Sequence, residues 1–239
     1  MSEKRDLSLF QLVNLSFGFF GVQTAYALQN NSNCRIFESL GADPHSLSYF
    51  WILPPLMGLI VQPIIGSMSD KTWTRFGRRI PYLLFGAILA IIVMFFFPYS
   101  GSIGFTSISA ALLFGAVCLM LLDTSLNIAM QPFKMMLGDM VNEKQKTKAY
   151  SIQSLLCNAG SLVGYLFPFA LAALGVSNVA QNNEVAPNVV YSFWICAAIL
   201  IACVIYTVVT VKEMPPKEYA EFHGISSDQK KTEKTNPIN

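Results

Sequence analysis

The chain is 239 residues long, 53% hydrophobic and only 13% charged, with a formal net charge of +2. A soluble globular protein carries roughly 25% charged residues, so this chain lacks the polar side chains needed to coat a water-soluble particle. The composition excludes an ordinary cytosolic enzyme, a disordered chain and a nucleic-acid binder.

Six continuous apolar stretches are long enough to cross a bilayer core, which takes about 20 helical residues. They cover 9–29, 47–68, 81–97, 108–131, 149–174 and 190–211. None alternates with period two, so helices rather than barrel strands are expected. The first follows Lys4 and Arg5 but is no signal peptide: it is too long, contains Asn14, Gln23 and Gln29, and lacks a small-residue cleavage site. Gln23, Tyr26 and Asn30 share one face of this helix. Amides both donate to and accept from hydroxyls, and aromatic rings pack on the apolar faces of sugars. The same residues also serve as interhelical glue, which the residues by themselves slightly favour.

After the second stretch come Gly66, Asp70, Arg75, Gly77, Arg78 and Arg79. Gly66, one turn ahead of Asp70, suits a close helix approach. Asp70, an acid among cations, calls for a specific partner, either a helix N-terminus or an arginine. The arginines are expected at headgroup level, where they also enforce topology and bind lipid phosphate. Trp51, Trp73 and Trp194 read as ordinary interfacial anchors.

In the fourth stretch, Asp123 is the one carboxylate deep inside a predicted span. Such a residue costs about 2.5–3.5 kcal/mol on insertion scales, so it should face a water-filled cavity or a partner. Proton exchange there outweighs a structural role. Asn127 and Gln131 continue its stripe at four-residue steps. Beyond them, Asp139 and Glu143 among Lys134, Lys144, Lys146 and Lys148 read as a solvated cluster, with Lys134–Asp139 a candidate gating pair. Asn158, Gly160 and Gly164 predict close packing on the fifth helix, with a cavity wall as the second reading.

Six spans return the chain to its starting side. Of the sixteen Lys and Arg residues, only Arg35 falls on the opposite side. The positive-inside rule therefore places both ends in the cytoplasm. The chain divides into an N-terminus at 1–8, a bundle at 9–211 and a mobile polar tail at 212–239. The five cysteines have no metal or disulfide spacing, and His45 and His223 stand alone in loops, so no metal site is expected. Walker, HExxH and GxSxG patterns do not occur, which argues against ATP-driven or hydrolytic chemistry.

Gly66-x-x-x-Asp70 followed by Arg75-x-Gly77-Arg78-Arg79 resembles the cytoplasmic signature of the major facilitator superfamily. The long gap between acid and glycine, with SD before and GRRxP after, is similar to plant sucrose carriers and bacterial maltose/sucrose carriers. These belong with the glycoside–pentoside–hexuronide cation symporters. Residues 21–30, 60–66 and 122–132, and the KEMPPKEY segment after the last span, resemble the same carriers. The resemblance implies an all-α membrane protein, the N-terminal six-helix half of a major facilitator fold. Its partners would be sugar, membrane lipid and a C-terminal half or second chain; no nucleic acid is implied. The implied activity is proton-coupled symport of an oligosaccharide such as maltose or sucrose in the plasma membrane, the inner membrane of a bacterium. Asp123 would carry the proton, while Gln23, Tyr26, Asn30, Asn127 and Gln131 would meet the sugar. Gly66, Asp70, Arg75, Gly77, Arg78 and Arg79 would form the gate. No cofactor is implied beyond the coupling ion, H+; sodium, which prefers several oxygen ligands, suits a single buried carboxylate less well. The competing readings are a non-transporting sensor or assembly subunit and a carrier for another small solute. A membrane-embedded enzyme lacks any paired acids or nucleophile–base constellation.

Overall fold

The computed structural model describes residues 6–43, 47–72, 74, 77–101, 107–180 and 184–213. They form six α-helices: α1 (Leu9–Ser39), α2 (Leu47–Lys71), α3 (Ile80–Phe96), α4 (Ile108–Met140), α5 (Lys146–Ala173) and α6 (Pro187–Thr210). Short 3-10 turns follow α3 at Phe97–Tyr99 and precede α5 at Glu143–Gln145. Each predicted stretch coincides with one helix. Two run well past the hydropathy signal, α1 to Ser39 and α4 to Met140. Their extra turns are still covered by neighbours, since Ser32, Asn33, Ile36 and Phe37 on α1 and Pro132, Phe133 and Met136 on α4 are buried. A helix continues as long as packing covers it, whatever its composition.

Five of the helices are long and apolar enough to cross a membrane. The helix left out is α1, whose amides at Asn14, Gln23, Gln29, Asn30 and Asn31 dilute its hydropathy. Those amides can be carried because α1 packs against α5, α6 and α4. It starts with a capping box, in which Ser8 accepts from the Gln11 amide and Gln11 accepts from the Ser8 amide. Its apolar side, with Val22, Ala25 and Leu28, joins one core with Leu83, Leu122, Leu126, Phe193 and Leu200. On its other side α5 comes close: a Cβ at Gly160 would meet the Phe20 carbonyl oxygen at 2.5 Å.

Outside this core the helices present apolar side chains outward, including Leu59, Ile64, Phe85, Leu113, Leu155 and Phe169. That surface is suited to lipid. α2 packs extensively on α4 and on no other helix. At one end of the bundle, the Leu7 N–H donates to Gln145 Oε1, and Glu213 accepts from the backbone of Arg78 and Arg79. Both described ends of the chain and the α2–α3 and α4–α5 connections therefore gather there.

Candidate functional site

Helices α1, α2, α4 and α5 surround an open cavity of about 390 Å3. Its polar lining comprises Gln23 and Tyr26 from α1, Gln62 from α2, Asn127 and Lys134 from α4, and Gln153, Ser154 and Asn158 from α5. Tyr26 also borders a second cavity of about 480 Å3, with Asn30, Asn31, Trp51 and Tyr165. Gln23 and Asn30, predicted as one face, thus serve different cavities with Tyr26 between them. Trp51, expected to be an interfacial anchor, borders the second cavity, and its indole N–H donates to Cys34 Sγ at 3.2 Å.

Asp123 does not line either cavity; it is fully buried behind Asn127. The Asn127 side-chain N–H donates to Asp123 Oδ2 at 2.8 Å and to the Asp123 carbonyl at 2.9 Å. Asp123 Oδ1 has no hydrogen-bond partner, and the neighbouring Gln29 amide, also buried, makes no bond of good geometry. No cation pairs with Asp123 among the described residues. Gln131 belongs to the same stripe, but Gln62 links it to the rest. Gln131 Nε2 donates to Gln62 Oε1 at 2.7 Å, and Gln62 Nε2 donates to Asn127 Oδ1 at 2.8 Å. One directed chain runs from Gln131 through Gln62 and Asn127 to the carboxylate. Gln62 was missed because its importance depends on α2 facing α4; the only local sign was a lone amide before Pro63.

The second cluster lies at the end of the bundle. Arg78 and Arg79 are buried, at 5% and 2% exposure, not spread at headgroup level. They sit between acids of α2 and α4, and each guanidinium is neutralised there. Arg79 reaches Asp139 at 2.7 Å, Asp70 at 3.0 Å and Ser69 Oγ at 3.1 Å. Arg78 reaches Asp139 at 2.6 Å and Asp70 at 3.6 Å. Buried charges persist only when paired in this way. The expected Lys134–Asp139 pair does not form: Asp139 is taken by the arginines rather than solvated, and Lys134 turns to the cavity. Gly66 is not at a close helix contact, since a Cβ there would lie 3.8 Å from Met135 Sδ, an ordinary distance.

Gly77 and Thr74 exchange backbone hydrogen bonds, and Gly77 has φ +115°. A Cβ at Gly77 would collide with the Glu213 carboxylate, so both the backbone and the space require glycine. That carboxylate accepts the Arg78 N–H at 2.6 Å and the Arg79 N–H at 3.0 Å, at the positive end of the α3 dipole. Burial raises its pKa, opposed by those two hydrogen bonds and the arginine charges. Glu213 lies within the segment expected as a polar tail from 212, and there the chain after α6 is docked on the α2–α3 connection. Nothing in its polar surroundings marked it out. Arg75, Trp73, His45, His223 and the tail beyond Glu213 lie outside the described residues.

A family described as MFS/sugar transport protein matches residues 19–230. The chain belongs to this family of transporters. A sucrose transport protein of Arabidopsis thaliana is 27% identical over 238 residues, 90% of this chain and 39% of its own length. The general alpha-glucoside permease of Schizosaccharomyces pombe is 27% identical over 169 residues, 68% of this chain and 31% of its own. The membrane-associated transporter protein of Mus musculus is 26% identical over 225 residues, 91% of this chain and 42% of its own. The chain therefore spans less than half the length of these relatives. A crystal structure of a D-xylose–proton symporter superimposes with a TM-score of 0.59 at 16% identity, over 92% of this chain and 52% of that one. At that identity the fold is what is shared. The six-helix bundle is that of a major facilitator half, in a family of sugar transporters and not enzymes.

Proposed function

We propose that the chain forms the N-terminal half of a proton-coupled symporter for an oligosaccharide such as maltose or sucrose. In the whole carrier two six-helix bundles rock around a midplane site and open it to each side in turn. The observation that carries this reading is Asp123, a fully buried carboxyl without a cation, connected by amides to an open polar cavity. Asp123 exchanges the coupling proton. Gln23, Tyr26 and Asn127 receive sugar hydroxyls and ring faces in the inner cavity, with Gln131 holding Gln62 and Asn30 bordering the outer one. Asp70, Arg78, Arg79 and Asp139 form a cytoplasmic latch that parts when the carrier opens inward. The concentration of basic residues at the end that carries both termini supports a cytoplasmic placement, in the inner membrane if the source is a bacterium.

The test is uptake of labelled maltose and sucrose into proteoliposomes under an imposed proton gradient. It compares this chain alone with the chain co-reconstituted with a second six-helix half. Gradient-driven uptake in the paired form, abolished by Asp123→Asn, is expected. Uptake that is indifferent to both the gradient and Asp123→Asn removes the symport reading. Folded protein without uptake of either sugar in either form points to another solute or to a sensor.

A further inference from the structure

We infer that Gln62 is the positioning residue through which sugar in the inner cavity governs proton occupancy at Asp123, by fixing which way the Asn127 amide faces. The inference rests on the reading of Asp123 as the coupling acid. It starts from a separation: Gln62 and Asn127 line the cavity, whereas Asp123 is sealed from it. The hydrogen-bonded route from the cavity to the carboxyl passes through those two amides.

The bond directions say how. Gln131 donates to Gln62 Oε1, which turns the Gln62 N–H toward α4. Gln62 donates to Asn127 Oδ1, which leaves the Asn127 N–H for Asp123 Oδ2. A carboxylate accepts from that N–H. A protonated carboxyl must donate, and for that it needs an acceptor. Asn127 can supply one only by turning over and presenting Oδ1, which the Gln62 N–H holds in place. In this arrangement the amide chain favours the ionised acid.

A sugar hydroxyl entering the cavity can take the Gln62 N–H for itself. Asn127, then held only by its N–H bonds to Asp123, can give up its bond to the Asp123 carbonyl and turn over: its oxygen accepts from the Asp123 O–H, and its N–H turns to the sugar. The proton comes from water, and no covalent bond changes apart from this one protonation. Sugar and proton then favour each other, as symport in one direction requires. One group competes for this control: the buried Gln29 amide beside Asp123, whose unpartnered oxygen can also accept the carboxyl proton. From α1, Tyr26 and Gln29 face the carboxyl; α3 carries no charged side chain, and its Tyr82 hydroxyl is engaged with Thr72; α2 presents Gln62.

The experiment follows the carboxyl C=O infrared band of the full chain in lipid nanodiscs across pH, assigned by its loss in Asp123→Asn. In Gln62→Met, similar in length but unable to donate, half-protonation is expected at about tenfold lower proton concentration than in the wild type. Gln131→Met frees only the far end of Gln62 and should move the band the same way by less. In an Asn127→Ala background, Gln62→Met should add nothing, because its effect passes through Asn127. Saturating maltose should move the wild-type band in the same direction and leave Gln62→Met unmoved.

An Asp123 band that titrates identically in the wild type and Gln62→Met overturns the role of Gln62 and leaves the coupling acid in place. If Gln62→Met does not fold, Gln131→Met decides in its stead. A wild-type band unmoved by maltose overturns the control by sugar. If no titrating band is lost in Asp123→Asn, the coupling-acid reading fails and this inference fails with it.

Discussion

The Arg79 guanidinium lies where almost no water reaches, held by Asp70, Asp139 and Ser69. The two acids are not equivalent. Asp139 is 22% exposed and bridges both arginines at short range, while Asp70 is 47% exposed. Asp139→Asn strands buried positive charge and should destabilise the fold by about 3 kcal/mol. Asp70→Asn, cushioned by solvent, should cost about 1 kcal/mol or less. Chemical unfolding in detergent compares the two, and equal losses would show that burial does not set the strength of this cluster. Glu213 adds a dependence on pH. Its docked carboxyl, with a raised pKa, holds a proton more readily than the same group undocked. Docking therefore strengthens as pH falls toward the ordinary glutamate range and weakens as pH rises through the raised value. Exchange of the Arg78 and Arg79 amide hydrogens, corrected for intrinsic rate, should be slower near about pH 5 than near about pH 8.

Among the elements, α1 and α5 depend on a small residue where they cross, and α2 and α4 do not depend on Gly66. Gly160→Val should cost on the order of 1–3 kcal/mol, because backbone cannot yield as a flexible side chain can. Gly66→Ala should change stability by less than about 0.5 kcal/mol, and if it also leaves uptake intact the glycine has no steric duty. Thermal unfolding of the two variants side by side decides this. The same contrast explains what could be read in advance. Number and order of helices were legible because lipid-facing and core residues both write long apolar runs. The far ends of α1 and α4 were not, since their cover comes from neighbours distant in the chain. Asp123, Asn127 and Gln131 stood out by helical spacing on one element. Gln62, Asp139 and Glu213 acquire their partners only through tertiary contact: across α2 and α4 for Gln62, and across separations of 60 and 134 residues for the Arg79 contacts of the two acids.

At the scale of the molecule the bundle is unevenly fastened. α1 is packed on several sides, while α2, interrupted by Pro54, Pro55 and Pro63, is held at length only by α4. Its freed carbonyls and sparse packing make it the helix most easily displaced. Hydrogen exchange in nanodiscs should find α2 the least protected helix and the middle of α1 among the most protected. Equal protection would mean that the bundle moves as one block, leaving alternating access to the junction between halves.

Glu213 finally gives the latch a history in time. Arg79 meets Asp70 across 9 residues, Asp139 across 60 and Glu213 across 134. At a synthesis rate of about 5–20 residues per second, Asp139 leaves the ribosome roughly 3–12 s after Arg79, and Glu213 roughly 7–27 s after it. A nascent chain must therefore hold the two arginine side chains without Asp139, and their backbone N–H groups without Glu213, for several seconds. The last residue to arrive closes the end of the bundle, so a messenger cut just before Glu213 would release six helices whose α2–α3 turn keeps its ion pairs to Asp70 and Asp139 but leaves the Arg78 and Arg79 backbone N–H groups without their carboxylate.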